Sequence, residues 1–239
     1  MSWLDEIFFP RRCPVCLDIV QPWGAMVCDT CRTMISLKTD KNCMKCGRML
    51  KYEEKEYCSS CREQRKQVER GIIGFDYRKD WVNKMMMQVK YHNGRQLLDV
   101  PCKEAAIAYK ETVNKWHCEC LVPVPLHISR RKKRGFNQAE EIAIRLSYVW
   151  NIPIETRLLF RVKKTKPQKE LGSISRRANL MDAFWVDKKI AENYKSVLLV
   201  DDIYTTGSTM EACAQRLLMA GIGKIYSFAL TSGADETNM

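Results

Sequence analysis

Residues 197–209, VLLVDDIYTTGST, combine an apolar strand, two adjacent carboxylates, a hydroxyl-and-glycine turn and the start of a helix. Open α/β sheets bind ligands beyond the carboxyl ends of their strands, where such a segment would sit. Thr205, Thr206, Gly207, Ser208 and Thr209 would aim backbone N–H groups and hydroxyls at an anion on the helix N-terminus. Gly207 lets the backbone approach a phosphate closely. Asp201 and Asp202 would repel that phosphate. They fit better one sugar-length away, as the reacting-centre carboxylates accepting from ribose 2′- and 3′-hydroxyls. No GxxxxGK[ST] is present, so this is not a P-loop. The expectation is a ribose-phosphate site.

A second chemistry is carried by cysteine. Of 12 cysteines, eight form the CxxC pairs Cys13/Cys16, Cys28/Cys31, Cys43/Cys46 and Cys58/Cys61, each pair starting 15 residues after the last. A CxxC turn points two thiolates at one place, and two such turns make a tetrahedral soft site suited to structural zinc. Four copies at one period argue against redox chemistry, and cysteines so close make poor partners for an unstrained disulfide. Sequential pairing puts Cys13, Cys16, Cys28 and Cys31 on one ion and Cys43, Cys46, Cys58 and Cys61 on another. A cross-braced pairing has the same composition, so the number of ions, one or two, stays open here.

Charge points to a polyanion. Net charge is +12, and residues 126–177 hold 14 Lys+Arg against 4 Asp+Glu. Within this stretch Arg130, Lys132 and Arg134 alternate in what reads as a loop ending at Gly135. They would present three cations either to a diphosphate or to a nucleic-acid backbone.

These groups need elements to hold them. Residues 1–65 read as a metal-stabilised module, poor in apolar residues and rich in turns, whose 15-residue period suggests duplication. Residues 62–70 read as a polar helical linker. Residues 66–239 form the second domain, with strands at 71–77, 120–126, 196–200 and 222–230 and helices at 81–90, 98–115, 137–150 and 208–220. The buried face of the second helix would include Ala105, Ala106, Ile107 and Val113, and Met85–Met87 would supply core contacts for the first. This alternation predicts an α/β fold, a parallel sheet with helices on both faces.

The mean hydropathy of −0.35 and the lack of an 18-residue apolar run exclude a transmembrane segment. The N-terminus lacks a secretory pattern, so a reducing cytoplasm is expected. Trp3, Leu4, Ile7, Phe8 and Phe9 are read as packing against the protein, with a membrane-surface contact as the alternative. His92, His117 and His127 have no ligand spacing, and His127 is read either as a packing residue or as a ligand contact. Cys102, Cys118, Cys120 and Cys213 are read as buried thiols. Phe136 and Tyr204 are read as packing residues, with base stacking as the alternative.

The 197–209 segment resembles the signature of the type I phosphoribosyltransferases, an apolar strand, two acids and a TTG[ST]T-like loop. This implies a site for phosphoribosyl diphosphate with Mg²⁺, with Asp201 and Asp202 on ribose and residues 205–209 around the 5′-phosphate. Residues 122–143, VPVPLHISRRKKRGFNQAEEIA, resemble the PVPL…R…RGFNQA motif of the ComF family of competence-associated proteins. Lys90, Tyr91 and Gly94 match it too, as do Arg161, Thr165, Gln168, Leu171, Arg177, Asn179, Ala183 and Phe184, while Ile128-Ser129 departs from the family's usual proline. The resemblance spans the whole chain and implies a zinc-ribbon module before a phosphoribosyltransferase-like domain. Within it, residues 163–177 resemble a loop that closes over the diphosphate.

Three functions follow. One is a protein of DNA uptake in natural transformation, with a phosphoribosyl-diphosphate or nucleotide site and single-stranded DNA binding. The second is an active phosphoribosyltransferase with an unknown acceptor. In the third, the zinc module docks a DNA-uptake helicase or translocase, which would recruit a cytoplasmic protein to the inner face of the membrane.

Overall fold

Strands buried on both faces read as near-continuous apolar runs rather than alternating ones, as Cys120–Pro123 and residues 197–200 do here. The computed structural model describes residues 10–37, 42–50, 56–63, 66–163 and 180–233. Its strands are β1 (Gly71–Asp76), β2 (Cys120–Pro123), β3 (Leu159–Arg161), β4 (Phe184–Val186), β5 (Ser196–Tyr204) and β6 (Lys224–Ser232). Its α-helices are α1 (Asp29–Arg32), α2 (Ser59–Glu63), α3 (Asp80–Tyr91), α4 (Asp99–Asn114), α5 (Ile128–Arg134), α6 (Gln138–Trp150), α7 (Lys188–Ala191) and α8 (Ser208–Met219), with a 3₁₀ turn at Arg95–Leu98.

The central sheet has the order β1-β6-β5-β2, all parallel, and Ile154 adds a parallel bridge to Leu121 beyond β2. Leu198 and Val200 of β5 face one cluster with α3, α4 and α6, including Val82, Met86, Ala105, Ile142 and Leu146. Val197 and Leu199 face the other cluster with α8 and the β3–β4 hairpin, including Cys213, Leu217, Leu159 and Phe184. Helices therefore cover both faces, and β5 ends in the crevice between them.

Several expectations change. On α4, Ile107 is 55% exposed while Cys102, Ala105, Ala106 and Val113 are buried. Those four recur at helical spacing, and Ile107 lies one step past the edge of their stripe. Met85 and Met86 are buried as expected, whereas Met87 is 44% exposed. Residues 130–134 are not a loop: they lie in α5, capped by the His127 side chain and closed by Gly135 at φ +79. β5 continues to Tyr204 because β6 extends alongside it, pairing Ile203 with Thr231 and Tyr204 with Ser232. Residues 66–70 are not helical but extend along the sheet, where Glu69 N–H donates to Ile225 and the Arg70 carbonyl accepts from Ser227. The antiparallel β3–β4 pair has no counterpart among the expected strands. Trp3, Leu4, Ile7, Phe8 and Phe9 lie outside the described residues, as does the 163–177 loop after Lys163.

The cysteine-rich part repeats as a knuckle followed by a short helical turn. Short bridges Arg12–Ile19 and Asn42–Met49 close the knuckles, and α1 and α2 follow Cys28 and Cys58. Each knuckle needs one residue at positive φ after its second cysteine, Leu17 at φ +67 and Gly47 at φ +74. Leucine is tolerated in the first. In the second, a Cβ on Gly47 would fall 2.5 Å from the Gly71 carbonyl oxygen, because this knuckle packs on the start of β1. The first knuckle pair buries Cys13, Cys28 and Cys31 against the α3–α4 face, and the second buries Cys43, Cys46 and Cys58 against the α8 face.

Gly47→Ala should lower the urea midpoint well beyond the effect of Gly24→Ala. Gly24 has φ +83 but open space around it, so alanine there meets only backbone strain of about 1 kcal/mol. Equal losses in the two variants would show that the Gly47 contact with β1 contributes nothing.

Candidate functional site

The segment 205–207 turns from β5 into α8 with its hydroxyls outward: Thr205, Thr206 and Ser208 are exposed, Thr209 is half-buried and Gly207 is buried. Gly207 has φ +80, and a Cβ there would overlap the Tyr204 hydroxyl. Glycine is thus required twice, by the backbone and by the ring lying beneath it. Thr206 Oγ1 accepts from Ser208 N–H at 3.3 Å and lies 2.7 Å from Ser208 Oγ. The turn presents the first-turn amides of a 12-residue helix beside exposed hydroxyls, the donor arrangement an anion needs.

The two carboxylates stand at the base of this turn. Asp202 N–H donates to Asp201 Oδ1 at 2.8 Å, and Thr231 Oγ1 donates to the Asp202 carbonyl at 3.0 Å. Lys90, in the last turn of α3, meets Asp202 Oδ2 at 3.0 Å. Both side chains of that ion pair are largely shielded, so its geometry is held rather than fluid. Burial, followed by the adjacent Asp202 carboxylate, raises the Asp201 carboxyl well above its usual range. The pair therefore behaves as one site with a cation on the Asp202 side.

Arg161, at the end of β3, lies on the Asp201 side. Burial and then the nearby Arg130 lower its guanidinium below its usual value, while Asp201 opposes them. Arg161 also lies over the Phe184 ring, 5.3 Å from its centroid. Arg130, on α5, thus lies near Arg161. Arg134 shares its helix face at i+4 but is held back, donating to Gln138 Oε1 at 3.0 Å and lying 5.5 Å from the Tyr91 ring centre. Lys132 is turned roughly 200° from Arg130 by the helical pitch and is exposed.

The GFNQ segment builds the joint between α5 and α6. Gly135 ends α5, Phe136 is buried under Arg95, and Asn137 caps α6 while donating to the Val124 carbonyl at 3.0 Å. His127 Nδ1 accepts from Ser129 N–H at the start of α5, which accounts for this side chain structurally. Cys102, Cys118, Cys120 and Cys213 are all buried; burial pushes the first three thiols up to about 12, and Cys213 is raised well above the usual thiol value. Burial therefore favours the un-ionised thiol, the less nucleophilic form, at all four.

The eight remaining cysteines assemble sequentially. Cys13, Cys16, Cys28 and Cys31 converge in one place and Cys43, Cys46, Cys58 and Cys61 in another, with ligand atoms of each set within 4.8 Å of one another. The Cys16–Cys28 and Cys46–Cys58 sulfurs are 3.9 Å and 3.7 Å apart. Tetrahedral Zn–S bonds of about 2.3 Å require sulfur–sulfur edges of about 3.8 Å, so both sets fit zinc. The chain carries two zinc-binding sites of four cysteines each, and the cross-braced pairing is excluded.

Three cations of the site escape a reading of the sequence. Lys90 stands out there only as part of a motif, and nothing local ties it to Asp202, 112 positions away. Arg48 and Lys66 belong to the cysteine-rich part and the segment after it, yet both reach Tyr204 beneath the turn. Arg48 lies 5.4 Å from the ring centre, and Lys66 Nζ donates to the hydroxyl at 3.0 Å. Arg48 also donates to the Thr205 carbonyl.

Two outcomes are expected. Metal analysis of reduced protein should give two zinc ions per chain, falling to one in Cys43→Ser; two ions retained in that variant would contradict the sequential centres. Between the unfolded aspartate pKa of about 3.9 and its own raised value, Asp201 binds more protons folded than unfolded. Its contribution to stability is therefore lost as pH rises through that interval. Asp201→Asn should be more stable than the parent in urea at neutral pH and lose this slope. A variant less stable than the parent there would contradict the assignment.

Residues 4–62 match a family model described as a double zinc ribbon domain. The chain is 30% identical over 233 residues to competence protein F of Haemophilus influenzae, covering 93% of this chain and 97% of that protein. It is 25% identical to competence protein ComFC of Bacillus subtilis, covering 85% and 83%, and 25% identical to DNA utilization protein YhgH of Escherichia coli, covering 87% and 90%. Among solved structures, a purine phosphoribosyltransferase from Pyrococcus horikoshii matches at 16% identity and a TM-score of 0.33, over 56% of this chain and 86% of that one. A double zinc ribbon ahead of a parallel α/β sheet, with a relative at this identity along nearly its whole length, makes the chain a member of the competence protein F, ComFC and YhgH family.

Proposed function

We propose that this protein acts in DNA uptake by binding a phosphoribosyl-diphosphate-type ligand at the end of β5 and single-stranded DNA on its basic surface. The observation that carries the reading is the glycine-enforced turn at Gly207, with exposed hydroxyls above and a carboxylate pair flanked by Lys90 and Arg161 below. Residues 205–209 would hold the 5′-phosphate through N–H groups and hydroxyls. Asp202, oriented by Lys90, would accept from a ribose hydroxyl, and Asp201 would do the same once it gives up its proton. Arg130 and Arg161 would face the diphosphate, and Arg134 would supply longer-range attraction. Mg²⁺ would enter with the diphosphate and neutralise part of its charge. If ribose phosphate is transferred, the departing diphosphate is stabilised by those guanidinium groups. The domains divide the work at about residues 65 and 66, the zinc ribbons before and the ligand site after.

The DNA part rests on α5. Arg131, Lys132 and Lys133 are exposed on it, next to the proposed diphosphate side. Such a cluster suits contacts that position a phosphate backbone without reading bases. Among the described residues no helix is long and apolar enough to cross a membrane. The protein would work in the cytoplasm beside a DNA-uptake helicase or translocase, which would bring it to the membrane.

Calorimetry with phosphoribosyl diphosphate and Mg²⁺ should show one site per chain, and Asp201→Asn combined with Asp202→Asn should weaken it at least tenfold. Unchanged affinity in the double variant would overturn the ligand assignment. Single-stranded DNA affinity should fall steeply between 50 and 200 mM salt, by roughly tenfold or more for a few phosphate contacts. Salt-insensitive binding, or none, would overturn the DNA part.

A further inference from the structure

Tyr204 touches both chemistries of this chain. Its ring fills the space under Gly207, where any Cβ would overlap the hydroxyl. Tyr204 is buried, its hydroxyl accepts from Lys66, and it lines one small pocket with Cys46, Lys66 and Gly207. A phenol hydroxyl in that position could donate to a thiolate of the second zinc centre, an outer hydrogen bond of the kind that orients metal ligands. Arg48 makes the second link. Its backbone closes the knuckle, the Arg48 carbonyl accepting from Cys43 N–H at 2.7 Å. Its guanidinium, on a residue only 3% exposed, donates to the Thr205 carbonyl and leaves Nε and Nη1 without a partner among the described residues. A buried cation so placed needs a counter-charge, and zinc bound by the four thiolates of the knuckle that Arg48 closes would form a centre of net charge −2.

The segment that follows tightens the joint. Lys66 bonds to Tyr204, Gln67 N–H donates to Glu211 Oε1 in the first turn of α8 at 2.8 Å, and Glu69 N–H donates to Ile225 in β6. Among the described residues the first zinc centre has no such link. It packs on the opposite face of the sheet, near Leu97 and Leu98, with Arg11 reaching Asp99 at 3.7 Å.

We propose that the second zinc centre and the 205–209 turn form one coupled unit, joined by Tyr204 and Arg48, so that losing the metal at Cys43, Cys46, Cys58 and Cys61 releases the turn and weakens sugar-phosphate binding. The ligand half of this statement rests on the proposed function; the joint between metal and turn does not. By linkage the effect is reciprocal, and a bound sugar phosphate holds this zinc more tightly while leaving the first zinc unaffected. Tyr204 and Arg48 are positioning residues, acting on the ligand through the turn they support.

The test follows zinc release from the full-length protein into a zinc-selective chelator, with hydrogen exchange recorded in parallel for the two amides that hold the turn, Glu211 N–H on the Gly207 carbonyl and Gly233 N–H on the Tyr204 carbonyl. One zinc should leave three- to tenfold faster in Tyr204→Phe and in Arg48→Lys, and the other at an unchanged rate. In the parent, these two amides should lose protection in step with the faster-affected zinc. Adding phosphoribosyl diphosphate with Mg²⁺ should slow release of that zinc at least threefold. Release rates unchanged in both variants, or both amides staying protected after that zinc is gone, would overturn the coupling. If calorimetry detects no ligand binding, the functional reading fails, and the ligand-free arms still decide the coupling. If ligand binds and neither zinc responds, the coupling fails while the functional reading stands.

Discussion

The packing of the Tyr204 ring beneath Gly207 is the constraint around which the site is organised. It fixes the path from β5 into α8, since no side chain fits at position 207 while the ring is there. The side chains of Thr205, Thr206 and Ser208 are exposed along that path. The same ring is flanked by Arg48 and Lys66, which tie the cysteine-rich segment to the turn. A small domain that buries little apolar surface is thereby joined to a large one at the point where ligand chemistry is concentrated. The two zinc centres are not equivalent in this respect, although their ligand spacing is identical.

Charge is arranged around the same point. Asp201 and Asp202 would repel each other if both were ionised and unaccompanied. Lys90 stands 3.0 Å from Asp202, Arg161 approaches Asp201, and Asp201 holds its proton more tightly than an ordinary aspartate. Such a pair is costly to fold, and strained charged pairs of this kind cluster at functional sites. Arg130 and Arg161 then place two guanidinium groups close together, an arrangement that an incoming polyanion would relieve.

Much of this was legible in the sequence because the signals were local. The four CxxC pairs named the metal ligands outright, and the apolar run into DDIYTTGST located the strand, the turn and the helix within a few residues. What was not legible depended on pairing at a distance. Residues 130–134 read as a loop because their charges mask the helical signal, whereas His127 and Gly135 cap a helix there. With that helix formed, Arg130 and Lys132 no longer share a face. β5 is longer than its apolar run because β6 carries it to Tyr204, and the β3–β4 pair joins segments well separated in sequence through the Leu159–Val186 to Arg161–Phe184 ladder. The partner of Asp202 lies on α3, and the support of Tyr204 comes from a zinc knuckle; no window of sequence contains either pair.

The central claim is that the turn after β5 receives a ribose 5-phosphate. Backbone amide resonances of the isotopically labelled protein, followed while phosphoribosyl diphosphate and Mg²⁺ are added, test it most directly. The account predicts saturable shifts at Thr206, Gly207, Ser208 and Thr209, with smaller ones at Asp201 and Asp202. Shifts confined to α5, or none at saturating ligand, would contradict it.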